Sequence, residues 1–214
     1  MKLAFAVTTE SALLAHMLAR HVVGACAAWS IFAWLVYDGY DSLSSRVVCA
    51  VQTPPTIASV IPPLLVQAVL LIPYGLWSGF MEAPSKRWRP DWSCCGLGVV
   101  TFFAPSLFEE LLFRVLLLPT PCKGWSSAAL AWASFVLYHV DCFHLPLHRD
   151  SRFLISAAVL GAACTYAFCA SHSLWSAVLT HWVVVWLWLT VFGGRQKVEQ
   201  YIPKRPATGP PLLL

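Results

Sequence analysis

The segment from Gly98 to Leu118, GVVTFFAPSLFEELLFRVLLL, is apolar except for two adjacent glutamates and an arginine four residues after the second. An ionisable side chain at the centre of a bilayer costs about 3 kcal/mol on insertion scales, and more by other estimates. Three such groups in one apolar segment indicate a function for Glu109, Glu110 and Arg114. This segment therefore predicts a site within a membrane.

The composition of the whole chain agrees with a membrane protein. Its 214 residues are 58% hydrophobic and only 11% charged, with a mean hydropathy of +0.67, whereas roughly 25% of the residues of a soluble domain are charged. We therefore predict an all-α, multi-pass integral membrane protein, a polytopic helical bundle. The net charge of +4 is too small to indicate a nucleic-acid partner.

Apolar segments separated by Gly, Pro and polar residues predict about six membrane spans. They are roughly 22–37, 57–79, 98–118, 125–143, 153–170 and 174–192. Gaps fall at 38–45, 82–91, 119–124 and 148–152. Pro62-Pro63 should break or kink the second span, and the proline-containing tail from Pro203 to Leu214 should be disordered. The N-terminus is a poor signal peptide.

The basic residues indicate the orientation of these spans. Of the 14 Lys and Arg residues, 11 fall in the termini and in the two loops that six spans place on the same side. The opposite side receives only Arg46 and Lys123. Since basic loops stay on the cytoplasmic or equivalent face, both termini should lie on the positive-inside face.

The two glutamates should have different roles. Glu110 and Arg114 are four residues apart, so on a helix they share a face and can pair. Glu109 is rotated by about 100° from Glu110, which leaves it without this partner and suits it to general acid or base catalysis. The alternative is an ion pair that only locks two helices together, which would leave Glu109 unexplained.

Two histidines lie in later apolar segments. His139 ends the fourth span and shares a face with Phe135, whereas His181 lies about two turns inside the sixth, roughly 10 Å along its axis. Each histidine could instead have a structural role. His139 could cap its helix, and His181 could bond to a neighbouring backbone carbonyl. His139 lies nearer the positive face than Glu109, so a kinked or re-entrant fourth helix would be needed to bring them together.

Metal and disulfide sites are weakly indicated. His139, Asp141 and His144 could form a metal site, but their spacing is not diagnostic. The eight cysteines include no CxxC motif. We expect no required disulfide, with Cys26, Cys164 and Cys169 packing as small apolar side chains in their spans.

Taken together, the motifs resemble a known family of intramembrane proteases, the CPBP family. It includes the CAAX proteases, bacteriocin-processing enzymes and abortive-infection proteins. The motifs, in order, are Glu109-Glu110-x-x-x-Arg114, Phe135-x-x-x-His139 and Gly161…Tyr166…Ser173-Leu174-Trp175…His181. The match extends over roughly residues 95–192.

This resemblance implies an endopeptidase that acts on a membrane-associated peptide or protein at the lipid bilayer. Glu109 would activate the attacking water, His139 would help to hold it, and His181 would contribute to an oxyanion pocket. Glu110 and Arg114 match the remaining acid and base of the first motif. No cofactor is expected, although a metallo-type enzyme with zinc is an alternative to the glutamic type.

The sequence departs from the family pattern at Val185. Many members have Asn four residues after the last histidine, and valine offers no hydrogen bond there. The departure argues against close kinship with the eukaryotic CAAX enzyme. The predicted organisation is an N-terminal region, 1–94, with two spans of unassigned function, a protease core, 95–192, and a basic tail, 193–214.

Other functions compete with proteolysis. A non-catalytic family member could act as an immunity or chaperone-like protein, but the catalytic set of residues is complete. Intramembrane Glu and His could instead relay protons in a transporter, yet no inverted repeat is visible. A haem-binding helix bundle is a further alternative, for which His139 and His181 would be the only candidate haem ligands.

The charge asymmetry makes the orientation testable. A reporter enzyme that is active only on the outer side of the membrane should give no signal when fused after Leu214. A fusion within the loop around Lys123 should give a strong signal. A clear signal from the C-terminal fusion would contradict the six-span topology.

Overall fold

The computed structural model describes residues 40–84, 92–118, 122, 124–140 and 146–201, and within these ranges the chain is helical with no β-strand. The predicted all-α class is thus confirmed. The α-helices are α1 (Tyr40–Gln52), α2 (Ile57–Trp77), α3 (Trp92–Thr101), α4 (Phe108–Glu110), α5 (Gly124–Tyr138), α6 (Ser151–Ser171), α7 (Leu174–Thr190) and α8 (Gly194–Tyr201). Wider π-helical segments, Phe102–Leu107 and Leu111–Leu116, flank α4, and Pro146–Arg149 form a 3₁₀ turn.

Two of the described helices, α2 and α6, are long and apolar enough to cross a bilayer, each with a mean hydropathy of 1.9. A third span is added if α7 and the following α8, which bends away by 76°, are counted together. The number of six spans and the orientation of the termini remain predictions. The first predicted span, 22–37, and the tail from Pro203 lie outside the described residues.

Helix α2 packs lengthwise against α6 and α7. Thr56 and Ser59 form a reciprocal capping box at its start, which satisfies backbone N–H groups that the first turn leaves open. The Ser59 hydroxyl also lies 2.8 Å from that of Ser176 on α7. The helix continues through Pro62 and Pro63, so the predicted break is wrong; neighbouring helices make such prolines tolerable in a bundle.

The ends of the helices form two groups, one at each end of the bundle. At one end Arg152 donates to the carbonyl of Ser78 (3.2 Å). At the other end Ser173 donates to the carbonyl of Thr53 (2.6 Å). Each group joins segments that the charge distribution assigns to one membrane face, as alternating spans require.

Two features near the group of helix ends around Thr53 and Ser173 were not predicted from the sequence. The predicted gap at 38–45 contains the start of α1, whose Arg46 donates a hydrogen bond of 2.8 Å to the carbonyl of Val115. Cys122 and Cys169 form a disulfide, so the expectation that Cys169 packs as an unpaired small side chain is wrong. The disulfide ties the residues before α5 to the end of α6.

The predicted third span is broken where it was expected to be continuous. Ala104 has extended backbone angles (φ −134°, ψ 111°), because a residue that precedes proline is disfavoured in the α region. Helical geometry resumes before Leu107 and continues through the glutamates. The irregularity foreseen in the fourth segment thus lies in the third, while α5 is an unbroken helix.

Candidate active site

Glu110 has two partners in a fully buried position. Its Oε2 lies 3.0 Å from Nε of Arg114, and neither side chain is exposed to solvent. Its Oε1 accepts a hydrogen bond of 2.7 Å from Nδ1 of His181. The first contact is the i, i+4 pair that the sequence predicts. The second joins α7 to the broken segment and was missed by sequence reasoning.

Further contacts fix the guanidinium of Arg114. It donates to the carbonyl of Gly161 on α6 (3.2 Å) and lies 5.0 Å from the ring centroid of Phe135 on α5. A Cβ atom on Gly161 would come within 2.6 Å of the Phe135 ring. Only glycine therefore allows α6 to approach α5 this closely. This helix contact sets the positions of both the arginine and the aromatic ring.

His139 is held at the end of α5 by the same ring and by the backbone. Its ring centroid lies 4.5 Å from that of Phe135, as the i, i+4 spacing suggests. Its Nδ1 lies 2.8 Å from the carbonyl oxygen of Phe135. Because a carbonyl only accepts hydrogen bonds, Nδ1 must carry a proton. This leaves Nε2 facing the carboxylate of Glu109.

Glu109 faces both imidazoles. Its Oε2 lies 3.7 Å from Nε2 of His139 and 3.9 Å from Nε2 of His181. These separations are too long for direct hydrogen bonds but allow a shared water molecule. Oε2 has no hydrogen-bond partner among the described residues. Three side chains from three separate segments thus converge on one small volume.

A metal ion does not fit this arrangement well. Carboxylate, thiol and imidazole ligand atoms of Glu110, Cys164 and His181 lie within 4.8 Å of one another, and this is a donor set that zinc accepts. However, Arg114 already neutralises Glu110, and a divalent cation would lie beside that buried guanidinium. No chemical step is assigned to a metal here. The other candidate ligands, Asp141 and His144, lie outside the described residues.

The helical fold has apolar helices long enough to cross a membrane and a buried cluster of one glutamate and two histidines. Residues 91–187 match the family model of the type II CAAX prenyl endopeptidases, described as Rce1-like. Residues 91–187 are thus similar to this CAAX protease family, which confirms the resemblance drawn from the motifs. The argument from Val185 against close kinship with the eukaryotic CAAX enzyme stays a prediction, because the match is to the family as a whole. No significant match was found among curated proteins or solved structures.

The matched region contains all five predicted site residues, Glu109, Glu110, Arg114, His139 and His181. The family's members are membrane-embedded peptidases named for their action on prenylated CAAX substrates. Sequence reasoning missed the buried Cys164 beside Glu110, and no motif marks it. The contribution of the Gly161 carbonyl was also missed, although that glycine belongs to the quoted motif.

The buried pair predicts a large effect on stability. Replacing Arg114 by alanine leaves the Glu110 charge buried without its main partner. It should lower the free energy of unfolding by about 3–5 kcal/mol. The yield of folded protein and the thermal midpoint in detergent would show this loss.

Arg195 provides a matched control, since it forms an i, i+4 pair with Glu199 in which both side chains are more than 40% exposed. Arg195→Ala should change stability by less than about 1 kcal/mol. If Arg114→Ala folded as well as Arg195→Ala and lost only activity, the guanidinium would not have the stabilising role described above.

Proposed function

We propose that this protein is an intramembrane endopeptidase in which Glu109 activates a water molecule for attack on a peptide bond. The main support is the arrangement of one carboxylate oxygen at 3.7 and 3.9 Å from two imidazole nitrogens. A water between these three atoms would donate to Glu109 while an imidazole fixed its orientation. General-base catalysis requires such direct reach to the proton.

The protons balance in a simple sequence. As the water oxygen bonds to the scissile carbonyl carbon, one water proton passes to Glu109. When the carbon–nitrogen bond breaks, the carboxylic acid formed at Glu109 delivers this proton to the leaving amine. The products are a carboxylic acid and an amine, and Glu109 returns to its starting state. No covalent enzyme intermediate and no cofactor are needed.

Glu110 and Arg114 act by holding His181. Nδ1–H of His181 donates to Glu110, so Nε2 points towards Glu109 and the reacting atoms. An Nε2–H on His181 would then stabilise negative charge on the substrate carbonyl oxygen. Arg114 holds the Glu110 carboxylate in place for this contact.

An apolar groove between α3 and α7 has a lining that suits an apolar substrate chain. It has a volume of about 250 Å³ and is lined by Cys95, Gly98, Val99, Phe102, Phe103, Trp182 and Trp186. None of the five site residues lines the groove; Trp182 is the residue after His181 on α7. The family name and this apolar lining together favour a lipid-modified peptide, a prenylated C-terminal CAAX sequence, as the substrate class.

The mechanism predicts the effect of one conservative substitution. Glu109→Gln retains the shape of the side chain but removes the base, so cleavage of a farnesylated CAAX peptide should fall at least about 10²-fold. The thermal midpoint should stay the same or rise, because a buried charge is lost. Purified protein in lipid nanodiscs and mass spectrometry of the released tripeptide provide the measurement.

Glu199→Gln, at an exposed position, is the control for the loss of a carboxylate. It should retain wild-type activity. Glu109→Gln with activity within a few-fold of wild type would exclude Glu109 as the base. A wild-type protein that bound the peptide but did not cleave it would favour a non-catalytic family member.

A further inference from the structure

The hydroxyl of Ser106 is one of a small set of buried polar groups in the described residues that have no hydrogen-bond partner. Ser106 is completely buried, and its Oγ has no hydrogen-bond partner among the described residues. A buried hydroxyl without a partner costs about 1–3 kcal/mol. Such a group calls for an explanation, and a role in the chemistry is one.

Six other helical hydroxyls in the described residues avoid this cost by a local bond. Each donates to the carbonyl four residues earlier, at 2.7–2.9 Å. These residues are Thr101, Ser156, Thr165, Ser171, Thr180 and Thr190. For Ser106 the corresponding carbonyl belongs to Phe102, on the far side of the extended residue Ala104. The break in the helix thus leaves the Ser106 hydroxyl available.

Residues on both sides of Ser106 along the chain contact α7. Four residues before it, the Phe102 ring packs against Trp182 (5.8 Å between centroids). Four residues after it, Glu110 accepts the hydrogen bond from His181. Ser106 lies between these two contacts, three residues before Glu109, where helical neighbours share a face. Ser106 thus lies on the part of the chain that carries Glu109 and that packs against α7 at Trp182 and His181.

We propose that Ser106 donates a hydrogen bond to the carbonyl oxygen of the scissile peptide and stabilises the negative charge that grows there. The proposal rests on the endopeptidase function proposed above. Val185, one turn after His181, offers no donor, so the imidazole would otherwise be the sole side-chain donor in the oxyanion pocket. Ser106 forms no covalent bond, and its proton stays on the hydroxyl throughout.

The proposal predicts a separation between activity and stability. Removing one oxyanion donor typically lowers kcat by about 10²–10³-fold, so Ser106→Ala should lower kcat for the farnesylated CAAX peptide by about this factor. KM should change less than about threefold, because the bond strengthens in the transition state. The thermal midpoint should remain or rise, since alanine removes an unpaired buried hydroxyl.

A peptide aldehyde gives a second readout of the same contact. Its hydrate resembles the tetrahedral intermediate, so Ser106→Ala should weaken inhibition by a farnesylated CAAX-peptide aldehyde by about the same factor as kcat/KM. Thr101→Ala is the matched control, because this buried hydroxyl bonds to the Leu97 carbonyl. It should retain kcat. In the Ser106→Ala background, Val185→Asn should raise kcat at least about tenfold by supplying another hydrogen-bond donor.

The outcomes separate this proposal from the one on which it rests. An unchanged kcat in Ser106→Ala would overturn the role of Ser106 and leave Glu109 as the base. A thermal midpoint that falls together with the activity would do the same. A lower kcat with unchanged aldehyde inhibition would also overturn it. Activity in Glu109→Gln, or none in the wild type, would refute the endopeptidase mechanism, and the Ser106 proposal would fall with it.

Discussion

The buried carboxylate of Glu110 is the group on which the other positions in the site depend. Its two oxygens are held by Arg114 and by His181, from the same segment and from α7 respectively. A charge in apolar surroundings is tolerable only when it is paired and hydrogen-bonded. Satisfying Glu110 therefore fixes how α7 meets the broken segment. The imidazole that faces Glu109 takes its position from this requirement.

The break at Ala104 complements this constraint. A regular helix from Gly98 to Leu118 would give each hydroxyl a carbonyl one turn back. The extended residue before Pro105 removes that partner from Ser106 and begins a new helical stretch that carries both glutamates. Irregular backbone within a membrane is tolerated where protein buries it. Here the fold places that irregularity next to the groups proposed to carry out the chemistry.

The spacing of residues along a helix accounts for the side-chain contacts that were predicted from the sequence. The Glu110–Arg114 pair and the packing of Phe135 on His139 follow from the i, i+4 geometry of any helix. The convergence of Glu109 with the two histidines followed from the functional motifs. The His181–Glu110 hydrogen bond, the disulfide and helix α1 depend on contacts between distant segments, and spacing carries no information on these. Pro105 lies at the break, but proline alone does not predict one, because Pro62 and Pro63 lie within a helix that continues.

The central claim is that a water molecule lies between Glu109, His139 and His181 and attacks the peptide bond. An experimental structure of the wild-type protein in lipid, at a resolution that reveals ordered water, tests this most directly. The account predicts a water within about 2.6–3.2 Å of Glu109 Oε2 and of at least one imidazole Nε2. Direct contact between Glu109 and either imidazole, or a metal ion bound between them, would contradict it.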